Sequence, residues 1–272
     1  MACRSAEKAR PAVEEAIKLS GNQNVEFLAL DLSSLKSVAA FAEAFKAKNL
    51  PLHILLNNAG VMACPFSVTA DGIENQFGTN HIGHFYLTLL LFDLLEQNQP
   101  SRIVNVSSSA HLVTAPSEGI RFDYINDEAS YGGWKAYGQS KLANVLFTGE
   151  LARRVEGKQI FINTLHPGLV ETDLQRHVLQ GIRFVNFVRW ITSKVALRPE
   201  DGALTQLYLA THPDVEKKNI RGKYYVPTAK KSSTSSLAKD QALAEKLWDF
   251  SVALVREKGG ELTVPETLKN KE

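Results

Sequence analysis

The sequence predicts one α/β domain with a doubly wound parallel sheet. Two observations carry this: short apolar runs alternate with helical stretches over almost the whole length, and each run is followed by a polar or glycine-containing turn. Neither a repeat nor a linker interrupts the alternation, and 272 residues at 44% hydrophobic and 22% charged suit a single core.

Taken in order, the buried strands are expected at Val25–Leu30, His53–Leu56, Arg102–Ser107, Ile160–Leu165 and Lys223–Val226, short runs of four to six residues that are mostly apolar or β-branched. Helices are expected at Ser5–Leu19, Ser34–Lys48, Asp71–Glu96, Trp134–Glu156, Pro199–Thr211 and Lys239–Lys258, where apolar residues recur at three- and four-residue spacing. Lys230–Ser236 reads as a basic, hydroxyl-rich loop. The domain is expected to span residues 1–262, and 263–272 reads as a frayed tail.

Composition removes several function classes. A net charge of +2 with scattered Lys and Arg gives no electrostatic case for nucleic acid. Cys3 and Cys64 form neither a disulfide framework nor a metal-ligand cluster, and His81 and His84 lack ligand partners at metal spacing, so they read as packing or surface residues. The N-terminus turns polar at once, and no apolar run reaches the length of about 18 residues needed to cross a membrane. The chain as written reads as cytoplasmic; an organelle or membrane anchor would have to lie upstream of Met1.

The chemistry begins with Tyr137 and Lys141. Seven tyrosines and 19 lysines in 272 residues are enough to produce a Tyr-x-x-x-Lys pair by chance, and Tyr131-Gly-Gly-Trp-Lys135 is a second one. Residues four apart share a face only in a helix. Gly132-Gly133 is a poor helical segment, whereas Tyr137-Gly-Gln-Ser-Lys141 runs into Leu142-Ala-Asn-Val-Leu-Phe147 at helical periodicity. Tyr137 is therefore the reactive candidate. A tyrosine with an ordinary pKa near ~10 is a poor base at neutral pH, and a lysine one turn away would favour its phenolate. Ser108, in Val104-Asn-Val-Ser-Ser-Ser109, would donate to a substrate oxygen as charge develops; turn and cap roles explain the same serines.

The order Asn57-Asn-Ala-Gly60, Asn80, Ser108, Tyr137, Lys141 resembles the short-chain dehydrogenase/reductase family, with the likeness running from Arg4 to about Leu254. It implies a Rossmann-like fold and an oxidoreductase that interconverts an alcohol with an aldehyde or ketone. It also implies roles. Asn58, Ala59 and Gly60 would pass under the adenosine half of a nicotinamide cofactor, and Asp31 would meet the adenine. Lys141 would also hydrogen-bond the nicotinamide ribose, Asn80 would hold a proton relay through its backbone, and Val170 and Thr172 in His166-Pro-Gly-Leu-Val-Glu-Thr172 would close over the nicotinamide. Arg4, where an acid would mark the unphosphorylated cofactor, favours NADP(H); a surface arginine opening a helix is the alternative.

Within the family the chain is most similar to the group of retinol dehydrogenase-like and WW-domain-containing-oxidoreductase-like proteins. That likeness rests on Ala2-Cys-Arg4, Asn80-His-Ile-Gly-His-Phe85, Arg121-Phe-Asp123 in a long insert, Ser140–Phe147 and Lys246-Leu-Trp248. It implies a lipophilic, retinoid- or steroid-like substrate. Leu179–Ile191, apolar with Arg183 and Arg189, lies where the family places a substrate lid; a packing helix or a membrane-surface helix fits the same pattern. A homo-oligomer stays open.

One departure is plain: the family's first strand, glycine-rich turn and helix, which present backbone amides to the pyrophosphate, have no counterpart in the sequence. The expectation is a domain without its first βα unit, with Met1 an internal methionine of a longer protein; an upstream reading frame lacking a glycine-rich turn would overturn it. A non-catalytic interaction or regulatory remnant of the fold, unable to bind cofactor, is the alternative function.

Overall fold

The computed structural model describes residues 1–170 and 197–269. Five strands run in the order β3 (Ile54–Asn57), β4 (Ser101–Val106), β5 (Ile160–Leu165), β6 (Tyr224–Val226) and β7 (Lys230–Ser232), all parallel except β7. Crossovers between parallel strands need a dozen or more residues, which the helices supply. Strand β7 corrects one expectation: Lys230–Ser232 folds back antiparallel on β6 instead of forming a loop. Its three exposed residues make it a charged edge, a pattern that discourages further pairing.

Over β4 and β5 both faces of this sheet are covered. Ile103, Ile160 and Ile162 point into a core with α2 (Leu35–Lys46), α4 (Gly83–Leu90), α7 (Gly133–Arg154) and α10 (Gln241–Glu257). Val104, Val106, Phe161 and Leu165 point the other way, against Leu209 and Ala210 of α8 (Pro199–Thr211) and Val215 of α9 (Asp214–Lys217). This two-sided burial is why the strands read as continuous apolar runs and not as alternating ones.

A second, two-stranded parallel sheet holds β1 (Ala2–Cys3) and β2 (Leu28–Ala29), joined by α1 (Ala6–Ser20). The Ser5 side chain caps α1 by accepting from the Lys8 N–H. Among the described residues no strand lies between β1 and β3, so the sheet is in two pieces. The register Ile54↔Arg102 and Leu56↔Val104 puts Ile54 and Leu56 on the α8 side. They are 42% and 43% exposed, as are Leu204 (46%) and Leu207 (54%) of α8. Among the described residues, an unpaired strand edge thus adjoins an uncovered apolar face.

The expected helix Asp71–Glu96 is broken. Gly72 takes a left-handed φ of 72°, and Asp71 leaves the helix to cap α2 by accepting from the Leu35 N–H at 2.8 Å. Helix α3 (Asn75–Phe77) then leads into a π-helical turn, Gly78–Ile82, before α4 and, past Leu91, α5 (Phe92–Gln97). Close packing requires glycine at the ends of the π turn. A Cβ on Gly83 would lie 2.5 Å from the Leu32 carbonyl oxygen. Gly83→Ala is expected to destabilise the fold by about 1–3 kcal/mol, read as a lowered midpoint of urea unfolding.

The expected frayed tail is docked over its described part. Leu268 is fully buried, and the Arg154 guanidinium donates to its carbonyl oxygen while stacking 4.2 Å over Trp248. Arg154 also pairs at 2.6 Å with buried Glu150, so one guanidinium joins α7, α10 and the C-terminal segment.

Candidate active site

Parallel strands leave their C-terminal ends at one edge of the sheet, and the loops there are the usual place for a ligand. Asn58, Ala59 and Gly60 follow β3, Ser108 follows β4, and His166–Val170 follow β5. Helix α7 crosses behind them and brings Tyr137 and Lys141, one turn apart, into the same edge.

Ser107, Ser108 and Ser109 divide cleanly by environment. Buried Ser107 donates to the Lys141 carbonyl at 2.7 Å and locks the loop to α7. Exposed Ser109 caps α6 (Ala110–Val113) by position. The Ser108 hydroxyl accepts from the Ala110 N–H at 3.2 Å and is the one that neighbours the Tyr137 phenol, in the sense that favours the phenolate. Burial works the other way and dominates: Tyr137 is only 4% exposed, and its pKa lies above the ordinary tyrosine value.

Lys141 is buried as well. Its ammonium donates to the Val106 carbonyl at 3.1 Å and lies 5.7 Å from the centre of the Tyr137 ring. Desolvation brings its pKa down to about 8. Gly60 makes room for this arrangement: a Cβ there would sit 2.9 Å from Asn80 Oδ1 and 3.4 Å from Lys141 Nζ. Asn80 closes the group. Its Oδ1 accepts from the Val61 N–H at 2.8 Å, and its Nδ2 donates to the Val61 carbonyl and the Ser140 hydroxyl at 2.9 Å each.

The π turn places Asn80, and π turns inside helices are frequent at functional sites. The Asn80 carbonyl, expected as a relay position, accepts from His84 Nδ1 at 3.0 Å. Burial, with the Lys141 charge adding to it, lowers the His84 pKa to about 4, so the ring is neutral. Sequence reading treated His84 as packing or surface; its four-residue spacing from Asn80 on a helix was the available signal. Beneath the site, Asn57 Nδ2 donates to Thr88 Oγ1 at 3.0 Å and Asn105 Oδ1 at 2.8 Å, and Asn105 Nδ2 donates to Thr148 Oγ1 at 2.9 Å. This buried chain ties β3 to β4 and both to the helices.

The competing Tyr131 is a loop residue outside α7. Its hydroxyl donates to the Cys64 carbonyl and accepts from Gln76, both at 2.8 Å. Nearby Trp134 is a residue the sequence did not single out: it packs edge-on to Tyr137 at 6.1 Å and stays half exposed.

The remaining predicted residues lie around the same edge. Arg4 is exposed immediately after β1, and Asp31 follows β2, whose pairing with β1 brings both to neighbouring strand ends. Asp31 Oδ1 accepts from the Ser33 N–H and hydroxyl. Val170 bridges to Leu197 and packs where Gly202 leaves space. Thr172 and Leu179–Ile191 lie outside the described residues. Among the described residues no group of three or more metal-ligating side chains occurs, and no helix is long and apolar enough to cross a membrane.

Residues 1–120 and 125–182 match the family model of the short chain dehydrogenases. The chloroplastic short-chain dehydrogenase TIC 32 A of Brassica napus is 47% identical over 262 residues, covering 94% of this chain and 80% of that one. Human retinol dehydrogenase 11 is 42% identical over 255 residues, covering 94% and 77%. Among solved structures, an uncharacterised protein of Mycobacterium paratuberculosis superposes with a TM-score of 0.70 at 32% identity, covering 94% and 83%. A Shigella flexneri short chain dehydrogenase solved in complex with NADP shares the fold, with a TM-score of 0.62 at 21% identity, covering 83% of this chain and 84% of that one. The chain belongs to the short-chain dehydrogenase/reductase family of Rossmann-like oxidoreductases, in its retinol dehydrogenase-like group.

Proposed function

We propose that this protein is an NADP(H)-dependent oxidoreductase that interconverts a lipophilic alcohol with its aldehyde or ketone. The observation that carries the reading is the convergence of Ser108, Tyr137, Lys141 and Asn80 at one strand edge, with the Ser108 hydroxyl beside the phenol and the ammonium 5.7 Å from its ring centre. The fit to a nicotinamide cofactor rests on the same edge. Asn58 and Ala59 are exposed, Gly60 keeps the approach to Lys141 free of a side chain, and Arg4 and Asp31 stand at adjacent strand ends. Those residues, with Tyr137, Lys141, Val170 and Thr172, would hold it; bound, it supplies or accepts the hydride.

The chain's own residues handle the proton and the substrate oxygen. In reduction the protonated Tyr137 phenol donates to the developing alkoxide while the Ser108 hydroxyl hydrogen-bonds the same oxygen. In oxidation the phenolate takes the alcohol proton, helped by the Ser108 bond and the Lys141 charge. Protons then pass between Tyr137 and solvent along the Lys141 and Asn80 side of the site. A lipophilic substrate is supported by half-exposed Trp134 against the phenol, exposed Leu112 and Val113 on the helix after Ser108, and exposed Leu169.

Fluorescence titration with NADPH and NADH tests the cofactor assignment. The wild-type chain is expected to bind NADPH roughly ten-fold or more tightly than NADH, through charge-assisted contacts of Arg4 to the 2′-phosphate, and Arg4→Asp to reverse that order. Equal affinities in the wild type would remove the NADP(H) assignment. A second reading, a non-catalytic interaction protein, is favoured by one observation: the sheet is in two pieces, with no strand between β1 and β3 among the described residues. Binding of neither nucleotide would select it.

A further inference from the structure

Three rings lie beside the active-site edge outside the catalytic group. His111 is on α6, three residues after Ser108, Tyr224 is on β6, and His166 follows β5. The Tyr224 ring stands edge-on to His111 at 5.0 Å and stacks on His166 at 6.0 Å. His111 is 2% exposed and Tyr224 4%.

His111 Nδ1 lies 2.5 Å from the Ser108 carbonyl oxygen. A carbonyl oxygen can only accept, so Nδ1 carries the hydrogen. Burial lowers the imidazole pKa, which makes the ring neutral at pH 7 and leaves Nε2 a bare acceptor. That nitrogen is buried without a hydrogen-bond partner among the described residues, and so is the Tyr224 hydroxyl. Burial also raises the Tyr224 pKa, so the phenol keeps its proton and is a donor. A buried acceptor and a buried donor, each costly to leave unpaired, thus belong to two rings in contact.

We propose that His111 is a positioning residue for Ser108, held in its Nδ1–H tautomer by a hydrogen bond relayed through one water from the Tyr224 phenol to Nε2. The clamp on the Ser108 carbonyl fixes the loop whose hydroxyl meets Tyr137, and Tyr224 anchors that clamp to β6 and, through its stack on His166, to the turn where the Gly168 N–H donates to His166 Nδ1 at 3.1 Å. Both loops that flank the phenol are thereby referred to one ring. The proposal rests on the reading of Ser108 as the residue that polarises the substrate oxygen.

The test has a spectroscopic arm and a kinetic arm. Long-range 1H–15N correlation on the full chain, 15N-labelled at histidine, reads the tautomer, with His111 assigned by its loss in His111→Asn. The expected result is a protonated Nδ1 and an unprotonated Nε2 at pH 7, and a downfield shift of Nε2 in Tyr224→Phe as the hydrogen bond is lost. Steady-state oxidation of a lipophilic alcohol with NADP+ supplies the second arm. Asparagine keeps a donor at the δ position, so His111→Asn is expected to hold kcat within about three-fold, whereas His111→Leu loses roughly ten-fold or more with unchanged NADPH affinity. An Nε2–H tautomer, an imidazolium at pH 7, ring nitrogens unmoved by Tyr224→Phe, or an Asn variant that falls as far as the Leu variant would each overturn it. If the wild type neither binds NADPH nor turns over, the enzyme reading fails, and the tautomer measurement still decides whether the His111–Tyr224 clamp exists.

Discussion

Tyr137→Phe is expected to lower turnover at least ~10³-fold while leaving NADPH affinity within about two-fold of wild type. The substitution removes one oxygen from a side chain that is 4% exposed and keeps the ring that packs against Trp134, so the fold has little reason to change. What disappears is the group proposed to exchange a proton with the substrate oxygen. The direction of the reaction sharpens the expectation. Burial holds the Tyr137 pKa above its ordinary value despite the opposing influence of the Ser108 hydroxyl, so the resting phenol is protonated at neutral pH and ready to act as an acid. Carbonyl reduction should therefore run well at pH 7, and alcohol oxidation, which needs the phenolate, should rise with pH through the alkaline range. Single-turnover rates in both directions as a function of pH check this. A Phe variant that keeps more than a tenth of wild-type turnover would take Tyr137 out of the reaction.

The placement of Tyr137 in a helix and Tyr131 in a loop illustrates what local sequence can decide. Glycines at 132 and 133 and the apolar period after Lys141 are local signals, and the structure puts Tyr131 in a loop and Tyr137 inside α7. The strands were legible for the same reason: burial on both faces writes a continuous apolar run. Failures occurred where tertiary contact overrides local pattern. The stretch after Asp71 has helical periodicity, yet Asp71 is drawn away to cap α2, and Gly78 and Gly83 admit Thr69 and Leu32 so closely that the helix starts late and opens into a π turn. The C-terminal segment looks polar and short, but a single leucine, Leu268, finds a pocket beside Arg154. His84 reads as packing or surface because its role lies in a carbonyl one turn back, a partner that residue type alone does not announce. Trp134 likewise matters only through its contact with Tyr137.

Lys141→Met should expose the opposite sides of stability and function at one residue. Lys141 is a buried ammonium whose hydrogen bond goes to the Val106 carbonyl, at 3.1 Å. No carboxylate is among the causes of its shift; desolvation alone brings its pKa from 10.5 to about 8. A lysine whose native pKa lies below its unfolded value penalises the folded state wherever the unfolded chain binds the extra proton. That penalty is full below pH 8, shrinks between pH 8 and 10.5, and vanishes above. Methionine has similar length, no charge to desolvate and a flexible stem suited to the same channel between α7 and β4. The variant is therefore expected to be more stable than wild type by about 1–3 kcal/mol at pH 7, with the gain fading as pH rises past 9. Turnover should collapse in the same protein, because the charge beside Tyr137 and the proton path past Asn80 go with the ammonium. Urea unfolding at pH 7 and pH 10 measures the first effect and alcohol oxidation the second. A Met variant less stable than wild type at pH 7, or a gain that does not diminish at pH 10, would show that the ammonium is compensated in the folded state and that its pKa is not depressed. The expected result would instead make Lys141 a residue retained against the stability of the fold, which is the signature of a group kept for chemistry.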